Sequence, residues 1–384
     1  MKWVFWASVG LIGYTYLGYP AWLWVRCRLR SMPVRKTAHL PSVSVAMVVR
    51  DEARGLKGKL DNLAALNYPA DRFEMVVLSD GSTDETEAIL AERARDSRFR
   101  IVISLEPRGK AAGLNDVLRV ARGEVVVFTD ARQSIEPDAV RRLVENFADP
   151  MVGCASGELM LGDPQAGETG KGMGLYWRIE KKIREWEAAS GSAVGATGAL
   201  YAARRELLVK LPEDTILDDV FLPMHVARQG ARVIFDETAR AWDRPNLGAG
   251  REFRRKVRTL SGNYQLLQIA PWLLTRANPI RFEFVSHKVL RLVVPFALVA
   301  ALVTSIFVPG SFYRAALAAQ LAFYGLSGVT VFHLKLGPVT RLADAAFTFV
   351  ALNTAALVAF GNFVTGRKTV WLSSQAQQKS TVGC

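Results

Sequence analysis

Cysteine is scarce in this chain. Cys27, Cys154 and Cys384 are the only three among 384 residues. They show no ligand spacing, so neither a disulfide framework nor a zinc site organises the fold. Internal repeats and long low-complexity tracts are absent as well, which sets aside repeat architectures. Acids are outnumbered, 36 Asp and Glu against 49 Lys and Arg, for a net charge of +13. A basic chain is a natural candidate for nucleic acid. Many of these Lys and Arg lie beside long apolar runs, where anionic lipid is the better-matched partner. The reading is therefore a lipid bilayer and no nucleic acid.

Charge is missing altogether from Trp3 to Val25, about 23 residues reading WVFWASVGLIGYTYLGYPAWLWV, long enough to span a bilayer. A cleaved signal peptide would have a shorter apolar core and end at a small-residue site. Arg26, Arg28, Arg30, Arg35 and Lys36 follow at once, and the positive-inside rule puts them in the cytoplasm. Half of all residues are hydrophobic and the mean hydropathy is +0.13, more than an ordinary soluble enzyme carries. Further apolar runs cover Val289–Val308, Phe312–Phe332 and Ala345–Val364. Lys288 and Arg291 flank the first of them, and Lys335 and Arg341 lie in the second linker, which fits an in–out–in course. A third full crossing would leave Arg367 and Lys368 outside, against the same rule. The last run therefore stays open between a span and a re-entrant or interfacial segment. The expected division is an N-terminal transmembrane helix (1–30), a cytoplasmic domain (38–250), amphipathic interfacial helices (251–288), C-terminal transmembrane helices (289–366) and a tail (367–384).

Between the spans, short β-rich runs alternate with helical spacing. The runs are 42–49, 73–80, 100–104, 124–130, 152–156 and 232–236, and Leu56, Leu60, Leu63 and Leu66 mark one helical stripe. Continuous apolar strands with helical crossovers indicate an α/β fold with a mostly parallel sheet covered on both faces. Ligands on such sheets bind outside the carboxyl ends of the strands. Three of those ends are acidic: Arg50-Asp51-Glu52, the run SDGSTDET from Ser79 to Thr86, and Asp130. Singly, each has a structural explanation, since Asp80-Gly81 makes a good turn and Ser82, Thr83 and Asp84 make good helix caps. Together they repel unless cations or donors sit among them. Lys110 follows a glycine at a helix start, a suitable anion site, or else is a solvated surface lysine.

The ordered set SVSVAMVVRDEA, VVLSDGSTDET, RGKAAGLN, VVVFTDARQ, GATGALYAARR and TILDDVFLPMHVARQG resembles the membrane-bound family 2 glycosyltransferases. These include the cellulose, chitin, hyaluronan and poly-N-acetylglucosamine synthases, and the likeness runs over about residues 42–262. The resemblance implies a GT-A fold, a nucleotide-sugar donor, a divalent metal (Mg²⁺ or Mn²⁺) and inversion at the anomeric carbon. Position by position it implies Asp51 and Glu52 near base and ribose, Asp80 at the uracil end and Lys110 on the donor side. Asp130 would hold the metal, and Asp219 would be the general base with Asp218 in support. The Asp218-Asp219 pair also suits a helix N-terminus ahead of VFLPMHV.

Two positions depart from the family pattern. The metal motif Asp-x-Asp reads Asp130-Ala131-Arg132 here. Arg132 cannot ligate a metal, so it either contacts a phosphate or donor-sugar group or points away. The Gln-x-x-Arg-Trp motif of polymer-making members aligns with Arg255, Lys256, Arg258 and Thr259. Arg258 is left to clamp the pyrophosphate or, with its basic neighbours, to meet lipid headgroups. The missing Trp removes a stacking platform for an acceptor sugar. Tyr176, Trp177 and Trp186 either stack on sugar or belong to core and interface, and the glycines of GSAVGATGAL allow close backbone approach.

The expected protein is an integral membrane enzyme of bacterial inner-membrane type with its active site in the cytoplasm. It would move a sugar, from a UDP-sugar by preference, to a saccharide or lipid-linked acceptor in envelope polysaccharide or glycolipid synthesis. Single-sugar transfer to polyprenyl phosphate and a non-catalytic sugar-nucleotide sensor or scaffold are the alternatives. The C-terminal spans are few for a pore, and an oligomer would compensate.

Overall fold

The strongest strand-forming segment, VSVAMVV, is buried along its whole length and forms β1 (Val43–Val49) at the heart of one sheet. The computed structural model describes residues 1–162, 175–243, 249–331 and 338–367. The other strands are β2 (Phe73–Asp80), β3 (Phe99–Ser104), β4 (Val125–Phe128), β5 (Ser134–Ile135), β6 (Val152–Leu161), β7 (Tyr201–Arg204) and β8 (Arg232–Asp243). Their order across the sheet is β3-β2-β1-β4-β7-β6-β8-β5. Strand β1 is parallel to both neighbours, with Val43 opposite Phe73 on one side and Val125 on the other. The pairings β2–β3 and β6–β8 are also parallel.

The expected α/β sheet is therefore present, with one difference. Strand β7 pairs antiparallel with β4 and β6, and β5 is antiparallel to β8. The stretch holding β7 reads as a glycine-rich approach, and four residues are too few to show an alternating pattern. β6 and β8 also run past their expected ends at 156 and 236, because the two continue to pair as far as Leu161 and Asp243.

Helices cover the sheet. In α3 (Ala53–Ala64), Leu56, Leu60 and Leu63 form the buried stripe that helical spacing predicts. Helices α4 (Thr86–Arg93), α5 (Lys110–Val120) and α6 (Ala139–Val144) follow between strands. Helix α7 (Leu175–Ser190) and helix α8 (Asp218–Arg228) come next, the latter starting on its two aspartates.

The remaining helices gather beside the domain. α1 (Lys2–Gly13) runs through a wide turn at Tyr14–Gly18 into α2 (Tyr19–Leu29). After α9 (Ala249–Ile269) come α10 (Arg281–Phe284), α11 (Leu290–Phe307), α12 (Ser311–Val331) and α13 (Pro338–Val364). The N-terminal helix packs its aromatic end on this group: Phe5 meets Tyr313 edge-on at 5.1 Å. Further along, Tyr14 Oη and Ser286 Oγ lie 2.9 Å apart and Arg26 pairs with Glu283.

Two helices among the described residues, Arg281–Phe307 and Leu342–Val364, are long and apolar enough to cross a membrane. The second is the run whose course the charge rule leaves open. The segments at Trp3–Val25 and Phe312–Phe332 are helical over their described residues, yet neither reaches that threshold. Trp, Tyr and Gly lower the hydropathy of the first, Arg314 and Gln320 that of the second, and Trp and Tyr suit the bilayer interface. The second linker and residues after 367 lie outside the described residues.

A glycine positions the loop that leads into the site. Gly81 turns at φ +59°, and a Cβ there would stand 2.5 Å from the Pro107 nitrogen. Gly81→Ala is expected to cost about 1–3 kcal/mol through strain and displacement of the 106–109 loop. The check is a lowered Tm together with weakened nucleotide binding.

Candidate active site

The carboxyl ends of β1, β2 and β4 share one edge, because these strands are parallel and in register. Helices α5 and α8 begin at that edge too. Beside it lies a cavity of about 440 Å³, whose lining includes Glu52, Lys110, Asp130, Arg132, Asp218 and Asp219.

At its centre a single ammonium joins two carboxylates. Lys110 Nζ stands 2.9 Å from Asp130 Oδ1 and 3.1 Å from Asp218 Oδ1. Burial opposes the lysine's charge, but Asp130 and Asp218 outweigh it and hold Lys110 protonated above its usual range. Enclosure likewise works against the Asp130 charge, yet Lys110, backed by Arg258 and Lys59, keeps that carboxyl below its ordinary value. Asp218 also accepts from the Tyr201 hydroxyl at 3.3 Å, and Tyr201 stacks on Phe128 at 4.4 Å.

Asp219 is set apart from this pairing. Its Oδ2 accepts the Gly198 amide at 3.1 Å. A Cβ on Gly198 would sit 3.2 Å from Asp219 Oδ2, crowding it, and in ordinary contact with Asp130 Oδ2 at 3.8 Å. Enclosure and the adjoining Asp218 charge push the Asp219 carboxyl up to about 6, while Lys110 pulls it down. A carboxylate that titrates near neutrality is suited to taking a proton.

Arg132 is paired. Its guanidinium meets Asp243 Oδ2, with the arginine 38% and the aspartate 5% exposed. Arg255 lies 3.8 Å from the same oxygen and is held by Glu252 at 3.0 Å. Arg132 thus lines the cavity while answering an acid from the end of β8. Sequence reasoning missed Asp243, which lies beyond the expected strand. Arg258 lines the cavity as well, with no ion-pair partner among the described residues. Thr259, at the position of the family's Trp, also lines it.

Lys59 was missed too. It is buried below Asp130, donating to Thr129 Oγ1 at 2.9 Å and the Gln133 carbonyl at 2.7 Å. Burial lowers it to about 7. A lone lysine on the apolar stripe of α3 was the only signal in the sequence.

The other acidic ends do different work. Asp80 is fully buried and accepts the amides of Arg108 at 2.8 Å and Gly109 at 2.9 Å. It fixes the turn that delivers Lys110 and does not line the cavity. Asp51, at φ +50°, accepts the Thr83 amide at 2.7 Å, so it ties the first acidic end to the second. Glu52 lines the cavity, and its amide donates to Thr86 Oγ1 at 2.9 Å. Asp84 caps as expected, accepting the amides of Ala53 at 3.1 Å and Thr86 at 3.0 Å.

The end of the cavity nearest the apolar helices is built differently. Trp177 and Tyr176 line it, whereas Trp186 packs beside Tyr19, Leu23 and Ile183. His287, fully buried, stands between two glutamates of α7: Nδ1 is 2.8 Å from Glu187 and Nε2 is 2.9 Å from Glu180. Burial opposes charge on both, but His287 and, for Glu180, Arg291 hold them below the usual carboxylate range. The Tyr19 hydroxyl donates to Glu187 at 2.6 Å, so this network clamps the N-terminal helix, α7 and the start of the Arg281–Phe307 helix together.

Among the described residues no three or more His, Cys, Asp or Glu converge as a ready-made metal cage. Asp130 nevertheless presents a hard oxygen ligand to the cavity. A divalent ion that draws its other ligands from phosphate and water needs little more, so the donor set fits an ion arriving with a nucleotide.

A sheet of this topology with acids at its carboxyl edge defines a GT-A glycosyltransferase fold. A mannosyltransferase from Pyrobaculum calidifontis, solved with GDP-mannose and Mn²⁺, superposes with a TM-score of 0.72 at 23% identity, covering 95% of this chain and 99% of that one. Residues 44–211 match the family model described as glycosyl transferase family 2. A poly-β-1,6-N-acetyl-D-glucosamine synthase of Staphylococcus aureus is 23% identical over 252 residues, 63% of this chain and 60% of the synthase. A β-monoglucosyldiacylglycerol synthase of Nostoc is 28% identical over 230 residues, 57% of this chain and 48% of that enzyme. The match thus spans about 60% of the length of the first of these relatives.

The Arg132–Asp243 pair can be tested by a double-mutant cycle. Arg132→Ala strands a buried carboxylate and is expected to cost about 1–3 kcal/mol, tempered by the arginine's exposure and by Arg255. Asp243→Asn in that background should recover part of the loss, leaving a coupling of about 1 kcal/mol in denaturant unfolding.

Proposed function

We propose that the chain is a membrane-anchored, inverting glycosyltransferase that moves a sugar from a nucleoside diphosphate donor, a UDP-sugar in our reading, to a saccharide or lipid-linked acceptor. The observation that carries it is the meeting of Asp130, Asp218 and Asp219 with Lys110 in one cavity at the carboxyl edge of the sheet. The roles follow the family resemblance, and the geometry supports them. Asp219 takes the proton of the attacking acceptor hydroxyl. Asp218, bonded to Lys110 and Tyr201, is the neighbour that raises the basicity of Asp219. Lys110, Arg255 and Arg258 face the negative charge that grows on the departing diphosphate. One displacement with one base inverts the anomeric centre and needs no covalent sugar intermediate. Asp130 would hold a Mg²⁺ or Mn²⁺ ion, which supplies Lewis-acid stabilisation of the leaving group.

The two apolar helices and the Arg-rich stretch after residue 25 support placement in a membrane with the domain on the cytoplasmic side. The names of the relatives divide between a polysaccharide synthase and a glycolipid synthase. Thr259, standing where polymer-making enzymes carry a Trp, favours single transfer.

Incubating the purified chain with labelled UDP-sugars and, as direct competitor, GDP-mannose tests the donor. Asp219→Asn should lower transfer at least about a hundredfold with nucleotide affinity kept; a fully active Asp219→Asn enzyme overturns the assignment. The base must be deprotonated, so kcat/KM should rise about tenfold per pH unit below pH ~6 and level off above it. Asp130→Ala should abolish the Mn²⁺-dependent part of donor binding, read by calorimetry with and without the ion.

A further inference from the structure

The charges lining the cavity are unevenly spread. Near the sheet, cations and acids answer one another: Lys110 with Asp130 and Asp218, Arg132 with Asp243, Arg255 and Lys256 with Glu252. At the opposite end Arg184, Lys288 and Arg291 face the cavity, and Glu180 is the only lining carboxylate among them. Glu180 accepts from Arg291 at 2.6 Å and from His287, which leaves Lys288 without a hydrogen-bond or ion-pair partner among the described residues. One buried donor here also lacks a partner, Arg291 Nε. Leaving such groups unpaired is costly, so the arrangement calls for an anion with hydrogen-bonding oxygens. A phosphate has the geometry and charge to meet both an ammonium and a guanidinium.

The same end adjoins apolar surface. Leu352 of α13 lines the cavity, and Val293 and Phe296, two and five residues after Arg291 on α11, are 40% and 38% exposed. A headgroup on Lys288 would thus carry its chains along helices built for hydrocarbon. The phosphate is not required as nucleophile, because Asp219, which lines the same cavity, is placed to deprotonate a hydroxyl.

We infer that this end of the cavity is an acceptor subsite for a phosphodiester-bearing lipid, its phosphate seated on Lys288 and Arg291 and its free hydroxyl directed at Asp219. This rests on the transferase reading and narrows its acceptor to anionic lipids carrying a hydroxyl. An uncharged diacylglycerol would leave Lys288 and Arg291 Nε unanswered.

The test uses the full chain in dodecyl maltoside micelles. Calorimetric titrations compare dioctanoylphosphatidylglycerol, dioctanoylglycerol and inorganic phosphate, with UDP and GDP affinities measured in parallel. The charged lipid should bind at least about tenfold more tightly than the uncharged one. Lys288→Met should erase that preference, Lys288→Arg should retain it, and nucleotide affinity should not change. Equal binding of both lipids, or a preference that survives Lys288→Met, overturns the subsite. Inorganic phosphate binding as tightly as the charged lipid overturns its assignment to a lipid. Failure of the underlying reading looks different: neither nucleotide would bind, whatever the lipids did. A poorly folded Lys288→Met protein is recognised by lost nucleotide binding, and the Lys288→Arg and wild-type comparisons still decide.

Discussion

Everything at this site depends on keeping three carboxylates close together in a partly enclosed space. Asp130, Asp218 and Asp219 would repel one another and any anion brought among them. The Lys110 ammonium, 2.9 and 3.1 Å from two of them, makes the cluster tolerable. Its bonds also create an asymmetry. Asp218 and Asp130 are answered directly, and Asp219 is left with a backbone amide and the repulsion of its neighbours. Two adjacent aspartates at one helix start thus stand in different surroundings.

That lysine is held from beneath by residues that never reach the cavity. Asp80 grips the amides of Arg108 and Gly109, and Lys110 begins α5 immediately afterwards. Lys59 does the same for the opposite wall, gripping Thr129 and the Gln133 carbonyl on either side of Asp130. Both are buried ionisable groups spent on loop geometry. Gly198 completes the set by letting a backbone amide come within reach of Asp219. Strand ends place these loops to within a few ångströms, and the buried charges fix the remainder.

The parts of this arrangement that could be read from the chain are those written in local pattern. Strand β1 is a seven-residue apolar run, α3 has a leucine stripe, and Asp80, Lys110, Asp130 and Asp218-Asp219 sit at element boundaries. Each carries its signal in adjacent residues. Asp243 could not be found that way, since its partner Arg132 is 111 positions distant and an ion pair leaves no trace in sequence spacing. Strand β7 was too short to announce itself. The Glu180–His287–Glu187 clamp had a faint signature, two glutamates seven residues apart on one face of α7, but its histidine lies a hundred residues on. Long-range pairing of single polar residues is the information that periodicity does not contain.

The same clamp changes what the apolar helices are for. A tether could be attached anywhere on the domain surface. Here the helices complete the cavity: His287, Lys288 and Arg291 come from one and Leu352 from another, while Tyr19 of the N-terminal helix locks Glu187 in place. Remove them and the sheet edge keeps its acids and Lys110, while losing the wall opposite. In the proposed reading the domain handles the nucleotide, and the helices contribute the groups that would select what the sugar is given to. Donor recognition then belongs to the domain and acceptor recognition to the helices, and the departures at Arg255 and Thr259 fall on α9, where the two parts meet.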